Sequence, residues 1–123
     1  MESRRKIWRR YMYEVLGDLN KTSGVKGSML VGNDGIIIAA DLDAKLEDET
    51  VGAMAASIMS NVTKALDRLK QQNLEKVTIE ADAGKIFLSN AGVGILAVIT
   101  EPVVNVGLVR LEIKNAVLQI KGM

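Results

Sequence analysis

Histidine and cysteine are both absent from this chain of 123 residues, and the two absences together remove most familiar catalytic machinery. Without histidine there is no imidazole base, no Ser-His-Asp or Cys-His relay, and none of the commonest zinc ligand. Without cysteine there are no disulfides, thiolate nucleophiles or thiolate metal sites, which fits a reducing cytoplasm. Aromatics are scarce: Trp8, Tyr11, Tyr13 and Phe87 are the whole set. The core therefore has to be built from Ile, Leu, Val, Met and Ala. No apolar run approaches the roughly 18 residues of a spanning helix, and the N-terminus lacks a signal-peptide core, so no integral membrane association is expected. Net charge is only +1, so no chain-wide attraction to nucleic acid or anionic lipid is written in.

What the chain does have is apolar content of 48%, enough for one ordinary core. With no internal repeat and no linker, a single domain over 1–123 is the simplest account. From Ile7 to Leu19 apolar residues recur as one broad helical face. Arg4, Arg5, Lys6, Arg9 and Arg10 lie before and around it, with 1–6 expected as a disordered basic extension. Two apolar runs then flank Asn33-Asp34-Gly35, a triplet that tolerates positive φ and favours a tight hairpin loop. A second helix is expected over 47–72, with Glu47, Asp48 and Glu49 meeting its dipole and Asn73 at its left-handed end. Strands follow at 77–82 and 86–91. The run Ile95–Thr100 is apolar on both faces and reads as a central strand covered on both sides. The C-terminal segment alternates like a strand over Val109–Lys114, yet keeps helical spacing from Val106 to Ile120. Length favours the helix.

The resulting order is α-β-β-α-β-β-β-α, an α/β sandwich with a five-stranded, mostly antiparallel sheet. One long helix would cover one face and two helices the other.

Within this order stand Gly24-Val-Lys-Gly27, Leu30-Val-Gly-Asn-Asp-Gly35, Asp48-Glu-Thr-Val-Gly-Ala-Met-Ala-Ala56, Val77-Thr-Ile-Glu80, Gly84-Lys-Ile-Phe-Leu88 and Gly94-Ile-Leu-Ala-Val98. Together these pieces resemble the roadblock (dynein light-chain) family, in its prokaryotic form. The resemblance spans about residues 7–121 and implies a binding module rather than an enzyme. It further implies a homodimer or heterodimer, with third strands paired across the axis and long helices meeting over them. Prokaryotic members are similar to partners of Ras-like GTPases, and eukaryotic relatives sit in dynein and in GTPase-anchoring scaffolds.

The residues themselves carry matching candidates. Gly52, Ala56 and Ser60 form a small-residue row on the long helix, where another backbone can approach closely. Ala53, Ser57 and Asn61 lie one step round. Gly52, Ala56, Ser60 and Met59 are candidates for the dimer interface, together with Val77, Thr78, Ile79, Glu80 and Ala81 of a strand whose free edge would pair with its own copy. Val77, Ile79 and Ala81 would lie under the helices. Candidates for contact with a further partner are Met54, Ala55, Ile58, Asn61 and Arg68.

Other features argue for little chemistry. The acidic stretch from Asp41 to Glu49 lacks the Gly and Glu of a calcium loop, having Leu46 and Gly52 at those positions. The glycine pairs lack the phosphate-binding pattern, so no cofactor and no nucleotide is expected on the chain itself. The expected function is a cytoplasmic dimeric adaptor that binds a small Ras-like GTPase and modulates its nucleotide cycle, without nucleic-acid binding. An arginine finger from Arg68 or the N-terminal arginines is conceivable but unmarked. The alternative is a structural assembly subunit similar to a dynein light chain, with no nucleotide sensitivity. A small-molecule sensor lacks the ligand-orienting His, Cys and buried aromatics, and an enzyme lacks any pointed carboxylate or Lys spacing.

Overall fold

The structure, a computed structural model, describes residues 3–70 and 73–123. Helix α1 (Arg4–Asn20) starts where Ser3 caps it, its hydroxyl accepting from the Lys6 N–H at 3.2 Å. The cap corrects the expected extension over 1–6: Arg4, Arg5 and Lys6 already lie in the first turn. Residues 1 and 2 lie outside the described residues. Met12, Val15, Leu16 and Leu19 form the buried face of α1.

Strands β1 (Val25–Val31) and β2 (Ile37–Leu42) are joined by the hairpin read from the sequence. Gly35 sits at φ 87°, the Gly35 N–H donates to the Gly32 carbonyl at 2.9 Å, and Asp34 Oδ1 accepts from the Ile36 N–H at 3.0 Å. The turn is thus held by the residues that make its left-handed backbone inexpensive. Helix α2 (Asp48–Arg68) carries Asp48 and Glu49 in its first turn. It ends four residues earlier than the expected boundary at 72, because Lys70, at φ 58°, takes the left-handed position assigned to Asn73. Asn73 also has positive φ, at 64°, but lies beyond the helix; 71 and 72 fall outside the described residues.

Strands β3 (Lys76–Ala81), β4 (Gly84–Asn90) and β5 (Ile95–Thr100) complete a sheet ordered β2-β1-β5-β4-β3, antiparallel throughout. β5 is central and buried at every residue, as its two-sided apolar run requires. Helix α3 (Val106–Lys121) is capped by Asn105, whose Oδ1 accepts from the Leu108 N–H at 3.0 Å. It buries Val109, Ile113, Ala116 and Ile120, whereas a strand would have buried Leu111 with Val109; Leu111 is 52% exposed. Helical spacing wins because it places four apolar residues on one stripe facing the sheet.

The layers follow. α1 and α3 pack side by side on one sheet face over Leu30, Phe87, Leu96 and Val98. α2 alone covers the other, over Met29, Val31, Leu88, Ile95 and Ala97. A buried polar link joins α1 to the sheet. Fully buried Ser28 Oγ lies 2.7 Å from Asn20 Oδ1 and 3.3 Å from the Leu16 carbonyl, while Asn20 Nδ2 donates to the Asp41 carbonyl at 2.8 Å.

Candidate dimer seam and partner surface

β3 is an edge strand, paired only with β4. The two are joined by the two-residue turn Asp82–Ala83, and Ala81 opposes Gly84 as the closing pair. In such a hairpin the closing pair exchanges both hydrogen bonds and the pattern then alternates. Ala81, Ile79 and Val77 therefore bond inward to Gly84, Ile86 and Leu88. Thr78 and Glu80 point their N–H and C=O groups to the open edge.

The faces of β3 also separate. Val77, with Ile86 opposite Ile79, packs against the core under α2, while Thr78 lies on the α3 side, where its Oγ1 accepts from Arg110 Nη2 at 3.3 Å. α2 packs mainly on β2, β1 and β5, so Val77, Ile79 and Ile86 at the far side of the sheet stay only half-buried. Apolar side chains beside an unpaired edge are the kind of surface a second chain covers. A groove of about 500 Å³ continues this surface along α2, lined by Ala56, Met59, Ser60 and Thr63 from the helix and by Ile95 from the sheet.

The small-residue row on α2 is placed differently from its sequence reading. Gly52 is buried in its own chain: a Cβ there would meet Val31 Cγ2 at 3.3 Å and Ile37 Cγ1 at 3.4 Å. Ala55 is fully buried, and Ala56 and Met59 are 9% and 8% exposed. Gly52 is therefore not a surface for a symmetry mate, nor Ala55 for a further partner. The physical reason is the hairpin: Gly35 backs onto Ala53 and Ala56, so small residues are consumed by the approach of α2 to its own loop. Ala56 and Met59 form only the floor of the groove, and Ser60 stands exposed at its rim. Ala53, Ser57 and Asn61 face outward on the next stripe of the helix.

Of the proposed partner contacts, Asn61 and Arg68 are exposed, and Met54 and Ile58 are half-buried against the core beneath α2. The basic N-terminal helix lies on the opposite sheet face from α2, so its arginines cannot join Arg68 around one partner seated on α2 of the same protomer. Among the described residues there is no group of three or more side chains suited to holding a metal ion. The acidic loop has a local use instead, with Asp43 Oδ1 accepting from the Lys45 N–H at 3.0 Å. Among the described residues no helix is long and apolar enough to cross a membrane.

Comparison with known proteins agrees with the fold. Uncharacterized protein MJ1340 of Methanocaldococcus jannaschii is 43% identical over 109 residues, covering 89% of this chain and 96% of that protein. Among solved structures, Myxococcus xanthus MglB superposes with a TM-score of 0.88 at 18% identity, covering 99% of this chain and 91% of its own. A Roadblock/LC7 domain from Streptomyces avermitilis gives 0.82 at 21%, covering 89% and 93%. Identities this low speak for the fold alone. The Roadblock/LC7 domain model itself matches residues 11–100, from the middle of α1 to the end of the central strand, and the chain belongs to that family.

Proposed function

We propose that this protein is a dimeric adaptor that binds a small Ras-like GTPase and regulates or scaffolds its nucleotide cycle. The observation that carries the reading is the half-covered sheet: an open β3 edge, apolar residues beside it, and a groove along α2. A second copy pairing through β3 would cover Val77, Ile79 and Ile86 and bring two α2 helices over a continuous sheet. The outer faces of those helices, with Ala53, Ser57, Asn61 and Arg68, would then form one broad platform for the GTPase. Small side chains there permit close approach of a partner's backbone.

The adaptor acts by binding one nucleotide state of the GTPase more tightly than the other, because only differential affinity shifts a switch. It works in the cytoplasm as a binding module, not an enzyme, and any GTP belongs to the partner. The test is affinity capture from native cell extract in GTP analogue and in GDP, with wild type and Ser57→Arg in parallel. A Ras-like GTPase retained in one nucleotide state and lost with Ser57→Arg supports the reading. Equal capture in both states, or a large complex without a GTPase, favours a structural assembly subunit instead.

A further inference from the structure

A second groove, of about 540 Å³, runs on the opposite sheet face between α3 and the β3–β4 hairpin. Its α3 wall places Arg110, Lys114, Val117 and Lys121 on a single helical stripe, at spacings of four, three and four. Lys76 faces them from β3, so four cations line the groove against the one carboxylate of Glu75. The whole chain carries only +1, so this is a marked local excess. None of the four cations forms an ion pair with a carboxylate among the described residues. Arg110 is instead held over Phe87, 5.8 Å from the ring centroid, and bonded to Thr78. The floor is nearly closed, formed by the buried Phe87 and Ile113 with Thr78 and Ser89 beside them.

We propose that this groove binds an extended acidic segment of a partner protein. Alternate Asp or Glu side chains would meet the α3 cations, and the residues between them would lie on the floor. Dimensions agree: Arg110 to Lys121 spans about 16 Å at the helical rise, the length of about five extended residues. A compact phosphate fits poorly, because the cations are strung along the groove rather than converging, and no helix N-terminus among the described residues lines it. Single-stranded nucleic acid fits poorly too, because the one aromatic ring, Phe87, is buried beneath Arg110 and offers no stacking platform. The groove and α2 lie on opposite sheet faces, so an acidic segment and a GTPase would bind the same protomer without competing. This inference does not rest on the GTPase reading.

The test is amide-shift titration of the full chain with a synthetic peptide of about eight residues, alternating Glu with Val or Ala. Its counterpart with Lys in place of Glu, inorganic phosphate and oligo-dT serve as comparisons. The expected result is shifts confined to β3, β4 and α3, weakened by salt. Lys114→Glu combined with Lys121→Glu should cut affinity about tenfold or more and make the Lys peptide the better ligand. Both side chains are exposed, and an unchanged circular dichroism spectrum certifies the variant's fold. Absent or scattered shifts, equal binding of the Lys peptide, an unaffected variant, or displacement of the peptide by less phosphate or oligo-dT would each overturn the proposal.

Discussion

A proline at Thr78 is the most direct probe of the dimer seam. Thr78 lies mid-strand in β3, opposite Phe87, and by alternation its N–H points to the open edge. Proline there removes an outward donor and keeps the inward ladder from Val77 and Ile79 to Leu88 and Ile86. Within one protomer the loss is small, since the Thr78–Arg110 hydrogen bond is exposed. In a symmetric dimer two such bonds vanish, one per protomer. At about 0.5–1.5 kcal/mol each, the dissociation constant should rise roughly 5- to 150-fold. Sedimentation equilibrium across a concentration series measures it, with urea unfolding as the control on fold. Ile79→Pro is the counter-case: its N–H bonds inward and its side chain is half-buried, so it should damage the protomer itself. An unchanged dissociation constant for a folded Thr78→Pro chain would refute the seam, as would a monomeric wild type at micromolar concentration. Equal damage from the two prolines would refute the assigned alternation.

Three further outcomes are expected. Phe87→Ala should cost about 3–5 kcal/mol in urea unfolding, because Phe87 is 3% exposed between β4 and α3 and its loss opens a cavity under Arg110. Ser28→Ala should cost about 1–2 kcal/mol, since it removes the buried hydroxyl that links α1 to β1 and leaves Asn20 Oδ1 without its donor; a loss below a few tenths would show that water replaces it. Calorimetry of the chain alone with GTP should give no saturable uptake, and a measurable heat of binding would overturn the assignment of nucleotide to the partner.

How much of this was legible in the sequence depends on the range of the interaction involved. Local chemistry set the hairpin at Asn33–Gly35, the acidic first turn of α2 and the order of elements. Each depends on residues within a few positions of one another, so its signal survives without tertiary context. The two-sided apolar run Ile95–Thr100 also announced a central strand, because burial on both faces leaves no polar alternation. The small residues of α2 show the limit. Their spacing announced a close approach but not what approaches, and the fold encloses Gly52 between α2 and the chain's own strands and hairpin. The start of α1 and the end of α2 turned on single residues, Ser3 as a cap and Lys70 in a left-handed conformation that glycine or asparagine adopts more readily. Periodicity registers neither. The cationic groove was invisible for a different reason: Lys76 and Arg110 are far apart in sequence and meet only because β3 occupies the sheet edge beside α3. Sequence by itself determined which segments are helix or strand and what chemistry the chain lacks. Only the tertiary structure decided which faces remain open, because exposure is what is left once every element has packed.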